Sequence, residues 1–342
     1  MSETLIALLI DAAKAAVFVG VLMAWVAYTT FGERRFASFF QDRIGPNRAG
    51  PFGFFQPLAD GFKFLFKEDF VPKFADRLLY RVAPVASFVP TIVLIGVIPF
   101  GPDLVIAGRR IPLQIADPNF GVLYFLAVAS FSVYGVIMAG WASNNKYSIM
   151  GGMRAAAMMI SYEVSLGLAV VGLILVAGST HMSTIVAQQD TIGGWYIWQQ
   201  PLGFLLFFIA SLAETHRTPF DLPEAEQELI GGYHTEYGSM QLGLFQMGEF
   251  AHMVATCTII VALFLGGWHF PMPAFITGDP NLYALAGAAV FSVKTFVMIF
   301  IFIWIRWTVP RFRYDQLMRL GWKVLLPLAL ANALVTALVI LL

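Results

Sequence analysis

The chain has 342 residues, of which 58% are hydrophobic and only 12% charged, and its mean hydropathy is +0.74. Soluble domains carry roughly 25% charged residues, so this composition, with 32 Phe, excludes both a soluble globular protein and a disordered one. Lys+Arg and Asp+Glu balance at 21 each, which leaves no global basic field for nucleic acid, and the single Cys257 excludes a disulfide framework, a Cys-ligated zinc site or an iron–sulfur cluster held by this chain alone.

A spanning helix needs about 20 mostly apolar residues. The pattern predicts an all-α polytopic membrane protein, one membrane domain over 1–342 with eight spans. The first, 5–31, follows Met-Ser-Glu with no Lys or Arg before Lys14, a poor signal-peptide start, so it reads as a retained helix. Asp11 and Lys14 stand three apart on it and can pair. The loop behind it holds an element of its own. Over 54–67, Phe54, Leu58, Phe62 and Leu65 recur at helical spacing, with Gln56, Asp60, Lys63 and Lys67 on the other side. Gly45-Pro46, Gly50-Pro51 and Pro72 bracket it. This predicts an amphipathic helix in the membrane interface, either a surface anchor or one wall of an entrance for an amphiphilic molecule.

The remaining spans are expected at 83–102, 119–142, 155–178, 196–216, 240–266, 284–307 and 322–342. Lys and Arg gather in the odd-numbered connections, while the even ones hold only Arg109 and Arg110. The positive-inside rule therefore puts loops 1, 3, 5 and 7 in the cytoplasm, or in the matrix of a mitochondrion, with both termini on the outer side.

Asp11, Lys14, Glu163, Glu214, Glu249 and Lys294 fall inside these spans. A charge at mid-depth costs at least ~2.5–3.5 kcal/mol, and such residues often mark an ion or proton path. From the expected span ends, Glu163 lies roughly 12 Å and Glu249 roughly 13 Å from the cytoplasmic side, with Glu214 close to its exit and Lys294 near mid-depth. Three carboxylates in the cytoplasmic half are consistent with a route leading inward from that face. Any one of them alone could instead be a neutral carboxyl hydrogen-bonded between helices, but the set of three favours the route. The fifth loop sets Asp221, Glu224, Glu226, Glu228 and Glu236 against one Arg217, on the side where the rule wants positive charge. It reads as a solvated loop, a proton-gathering patch or a dock for a basic partner. No phosphate-binding loop or dinucleotide fingerprint is present, and Gly151-Gly152, Gly193-Gly194, Gly231-Gly232 and Gly266-Gly267 lack the spacing. No two of His181, His216, His234, His252 and His269 stand at i, i+4, which argues against a metal or haem site. His216 and His234 lie in the acidic loop and can titrate near neutral pH.

Three stretches together resemble one family. They are Glu33-Arg34-Arg35 with Arg43-Ile44-Gly45-Pro46-Asn47-Arg48 and Gln56-Pro57-Leu58-Ala59-Asp60; Asn144-Asn145-Lys146-Tyr147-Ser148 with Gly151-Gly152-Met153-Arg154-Ala155-Ala156 and Ile160-Ser161-Tyr162-Glu163; and the run from Glu214 through Thr215, His216, Arg217, Thr218, Pro219, Phe220, Asp221, Leu222, Pro223, Glu224 and Ala225 to Glu226. Over essentially its whole length the chain resembles one family of membrane subunits of the bacterial proton-pumping NADH:quinone oxidoreductase, respiratory complex I, the family that includes mitochondrial complex I subunit 1. It departs at His216, where the family often has Asn, and at Thr218, where it often has Ala.

The resemblance implies a membrane subunit without a redox centre of its own, not catalytic alone. NADH, FMN and iron–sulfur clusters would sit in partner subunits, the hydrophilic ones on the cytoplasmic face, beside small membrane subunits and lipid. Ubiquinone or menaquinone would be the substrate, entering a chamber walled by the spans and the interfacial helix. Spans 2–6 would be similar to half of an antiporter-like subunit. Glu163, Glu214, Glu249 and Lys294 would match the intramembrane proton path, and Asp221, Glu224, Glu226 and Glu228 the acidic loop between chamber and path. Arg34, Lys67, Phe220, Arg306 and Arg311 would match positions at the quinone cavity. No metal and no nucleic acid are implied. A bacterial inner membrane, or a mitochondrial one, is the expected location. The alternative is the equivalent subunit of a complex-I-related hydrogenase. A stand-alone transporter would need paired broken helices, which are not evident in the sequence.

Overall fold

A computed structural model describes residues 3–106, 108–221, 229–273 and 278–342 of the chain. Glu224, Glu226 and Glu228 lie outside the described residues. The architecture is helical, and among the described residues seven helices are long and apolar enough to cross a membrane.

The first helix, α1, runs Glu3–Phe40, 38 residues and roughly 57 Å, far beyond a hydrocarbon core of about 30 Å. It therefore continues past the expected end at 31, through Glu33-Arg34-Arg35, which are good helix formers once their charges are partnered. The interfacial helix α2 occupies Gln56–Phe66, close to its expected bounds. Leu58, Phe62 and Leu65 are exposed on it, while Asp60 faces inward and accepts from Arg34 at 2.6 Å. The exposed apolar residues suit an interfacial helix, with Gln56 and Asp60 turned toward the protein and Lys63 left exposed.

Helix α3, Arg77–Ile95, starts at an Asp76 cap that accepts from the backbone N–H groups of Leu78 and Leu79. It ends seven residues short of the expected 102. A short antiparallel hairpin that the periodicity did not announce follows, β1 Leu104–Ile106 against β2 Arg109–Ile111, with Leu104 opposite Ile111. Helix α4 is Gly121–Ala142 and α5 is Lys146–Ala177. Asn145 caps α5 by accepting from the Tyr147 N–H, so the expected third loop shrinks to three residues and Arg154 is helical. Glu163 lies roughly 25 Å along α5 from its first residue.

The fifth expected span is not one long helix. After the short α6, Met182–Ala187, it divides into α7, Tyr196–Gln199, and α8, Pro201–Glu214. Pro201 has no N–H to continue the first turn. Gln200 at the break reaches sideways, donating to Thr336 at 2.8 Å and accepting from Asn332 at 3.1 Å on the last helix. Helix α9, Ser239–Phe264, forms the centre, and every residue from Ala251 to Phe264 is buried. Helix α10 is Pro280–Thr308, and α11 is Tyr314–Leu341 through a π-helical turn at Gly321–Leu325.

Small residues allow the backbones around the polar interior to approach closely. A Cβ on Gly152 would meet Gly140 Cα at 3.3 Å, bringing α5 against α4. A Cβ on Gly151 would lie 2.6 Å from Gly232 Cα and 2.8 Å from the Tyr233 nitrogen. The glycine pair that lacks phosphate-loop spacing thus serves helix packing, and it seats the segment carrying Tyr233. Gly151→Val should push that segment away and destabilise the fold by about 1–3 kcal/mol, the usual cost of overpacking. The measurement is the thermal midpoint of the detergent-solubilised assembly; an unchanged midpoint would contradict this packing.

Candidate functional site

Two faces of α1 line two different spaces. On one face a cavity of about 590 Å³ is walled by Tyr28, Phe36, Phe52, Phe54, Phe55 and Phe296, with Arg35 donating to the Phe52 carbonyl at 2.9 Å. On the other face lies a cavity of about 470 Å³ between α1, α2, α9 and α10. Both volumes fall in the range of small-molecule sites. The second is charged. Arg34 and Asp60 pair across it. Glu33, 6% exposed, accepts from Arg217 at 2.9 Å and also from Arg306. The Arg217 guanidinium sits 4.3 Å from the Phe250 ring centroid. The result is a chamber with polar groups at fixed positions and apolar walls from Val26, Phe64 and Met247.

A second, much smaller polar cavity, about 20 Å³, lies between α3, α4, α5, α8 and α9. Glu214, His216, Tyr233, Glu249 and His252 line it. Tyr233 donates to Glu249 at 2.6 Å, and His252 Nε2 stands 3.4 Å from Glu214 Oε1. His216 and Glu249 line the charged chamber as well, so these two side chains form the wall between the spaces. His216 has φ 51°, a left-handed conformation that turns the chain sharply after α8. Glu163 accepts from Ser130 on α4 and lies within electrostatic reach of Glu214.

Beside the chamber, Asp221 is buried and accepts from Arg311 at 3.0 Å. Burial pushes its carboxyl up to about 6, outweighing the downward pull of the Arg311 guanidinium.

The expected site residues therefore separate into groups. Glu214 and Glu249 come together, with Glu163 nearby. Arg34 and Arg306 face the charged chamber. Phe220 is buried between Tyr162 and Phe312, outside the lining of either α1 cavity. Lys67 is exposed at the end of α2 and does not line the chamber. Lys294 departs from expectation. Its ammonium donates to the carbonyls of Leu265, Gly267 and His269, at 2.7, 3.0 and 2.8 Å, and lies over the Trp195 ring. Among the described residues it thus holds the turn that follows α9 and not a carboxylate, a role that suits a cation near a helix C-terminus. Asp11 and Lys14 approach at 3.9 Å, as their spacing suggests. Among the described residues no cluster of His, Cys, Asp and Glu suits a metal ion.

Four residues without an assigned role belong to the site: Glu33, Arg217, Tyr233 and His252. The sequence holds a signal for one of them, since His252 stands three residues after Glu249 and shares its helix face. Glu33, Arg217 and Tyr233 reach the site through contacts between distant segments, which spacing does not reveal.

The sequence profile of the NADH dehydrogenase family matches residues 13–337. The chain is 50% identical over 335 residues to the NADH-quinone oxidoreductase H subunit 1 of Geobacter sulfurreducens, covering 95% of this chain and 92% of that one. It is 48% identical over 343 residues to the H subunit 1 of the same enzyme from Geobacter metallireducens, covering 100% of each. With the corresponding H subunit of Flavobacterium johnsoniae the identity is 47% over 323 residues, 94% of this chain and 92% of the other. A helical membrane fold, a charged chamber beside buried carboxylates and agreement over nearly the whole length lead to one assignment: the chain belongs to the NADH dehydrogenase family, as a multi-pass membrane subunit of the NADH-quinone oxidoreductase type.

Proposed function

We propose that this subunit forms much of the quinone chamber of a proton-translocating NADH:quinone oxidoreductase and the start of its proton path. The observation that carries the reading is the shared wall. Glu249 and His216 face the chamber on one side and the Glu214 cavity on the other. Quinone has an apolar tail and a polar head. The exposed apolar side of α2 and the aromatic cavity suit the tail, and the charged chamber suits the head, with Arg34 and Arg306 beside it and Lys67 outside its lining. Reduction to quinol takes up two electrons and two protons. Those protons change the charge felt by Glu249, and through it by Glu214 and Glu163. Asp221, with Glu224, Glu226 and Glu228 in the same loop, supplies the acidic link between the chamber and that path. Lys294 is left out of the path, because three carbonyls already hold its ammonium.

The chain acts as one membrane domain, with α8 as the fifth of eight crossings, so both termini face the periplasm of a bacterial inner membrane. It brings no cofactor. Electrons arrive from NADH through FMN and iron–sulfur clusters in hydrophilic partner subunits on the cytoplasmic face.

The direct test is to capture a tagged copy from its own membranes in mild detergent, identify the co-purifying subunits and assay NADH-driven, inhibitor-sensitive quinone reduction. Flavin and iron–sulfur partners with that activity support the proposal. Hydrogenase partners without NADH activity overturn it.

Glu249→Gln should lower coupled quinone reduction about tenfold or more, a barrier change of at least ~1.4 kcal/mol. The rate is compared with NADH oxidation by ferricyanide, which needs only the hydrophilic partners, and an undiminished ratio would remove Glu249 from the path. Asp221 provides a pH test. Its folded-state pKa is raised, so its contribution to stability is present below the ordinary aspartate value and is lost as pH rises through about 6. The thermal-midpoint advantage of the wild type over Asp221→Asn should therefore fall between about pH 4 and 6; a flat difference would show that Asp221 is not held protonated by burial.

A further inference from the structure

The carboxylate route leaves one buried base unused. His252 is 5% exposed, and neither of its ring nitrogens has a hydrogen-bond partner among the described residues. An apolar side chain would fill that position without stranding two polar atoms. The ring instead lines the small polar cavity, with Nε2 3.4 Å from Glu214 Oε1. That separation is loose for a hydrogen bond, as catalytic contacts often are before substrate arrives.

The groups facing this ring come from every neighbouring element. Helix α8 supplies Glu214, and α9 itself supplies Glu249, one turn away. The connection after α8 supplies His216, and the segment before α9 supplies Tyr233. Helices α3 and α4 supply hydroxyls, from Ser87, Thr91 and Ser132, besides Val136, and α5 supplies Met159, with Glu163 on α5 within electrostatic reach of Glu214. Arg217 is next in sequence to His216, yet its guanidinium is held by Glu33 and Phe250. A cavity of about 20 Å³ has room for one water among these groups.

We propose that His252 carries protons between Glu214 and Glu249, so that the path crosses this cavity through an imidazole rather than from carboxyl to carboxyl. The inference rests on the proton-path function proposed for this chain. The step balances without any co-reactant. The Glu214 O–H bond breaks as an N–H bond forms at Nε2; the Nδ1–H bond breaks, and that proton crosses the cavity to form an O–H bond on the Glu249 carboxylate. The imidazole is neutral before and after, with its tautomer exchanged, and it resets when the ring turns or the transfer reverses. Tyr233, bonded to Glu249, holds the accepting carboxylate in place. An Asn or Gln side chain preserves polarity at position 252 but cannot pass a proton in this way.

The experiment uses the whole complex, with His252→Asn, His252→Gln and Glu214→Gln compared in proteoliposomes. Quinone reduction and proton uptake are both normalised to NADH–ferricyanide activity. The expected result is a loss of about tenfold or more in both quantities for each His252 variant, with a larger solvent deuterium isotope effect than in the wild type. In the wild type, isotope-edited infrared difference spectra with labelled histidine should show a histidine tautomer change on quinone reduction, from one neutral ring form to the other; this measurement does not require any variant to assemble. Wild-type rates and isotope effects in the His252 variants, alongside an impaired Glu214→Gln, would overturn the histidine step and leave the proton-path reading standing. Wild-type behaviour in all three would overturn both. No histidine signal in the infrared spectra would overturn the step alone.

Discussion

A carboxylate set where water is scarce has to be answered by positive charge, and Glu33 is answered twice. Arg217 reaches it from the connection after α8 and Arg306 from the end of α10, so one side chain joins three segments far apart in sequence. Removing one member of such a buried group costs about 3–5 kcal/mol, because the remaining charge is left alone in a poor solvent. This makes the arrangement exacting. Arg217 is held over Phe250 and against Glu33, and His216 beside it takes a left-handed turn and lines two cavities.

The same constraint divides the interior. On the chamber side, charges occur as paired ions: Arg34 with Asp60, and Glu33 with its two arginines. In the small cavity the partners are hydroxyls and imidazoles instead, Tyr233 on Glu249 and His252 near Glu214. Paired ions are poor proton carriers, since each charge stabilises the other. At the opposite end of α9, Lys294 shows the structural use of an intramembrane charge, with every proton of its ammonium directed at a carbonyl.

The interfacial helix was legible because its apolar residues repeat every three to four positions beside a run of breakers, and the structure places it at Gln56–Phe66 within two residues of expectation. Helix ends were less legible. Hydropathy stops at the first charged residues, whereas α1 continues through Glu33-Arg34-Arg35, whose charges meet Arg217, Arg306, Asp60 and a backbone carbonyl, and α5 begins at the exposed Lys146. Hydropathy also joined α7 and α8 into one span, since it does not register that Pro201 and the sideways bonds of Gln200 interrupt the helix.

By itself the sequence determined the membrane fold, the presence of rare ionisable groups at depth and the family to which the motifs point. These are properties of composition and local spacing, which a chain carries before it folds. Only the tertiary structure decided how those groups are used. It separated Lys294 from the carboxylates, gave Glu33 two arginines, and brought His252 to Glu214 although the two residues sit on different helices. The reason is physical: a buried charge selects its partner by distance and desolvation, and both are settled only when helices remote in sequence pack together.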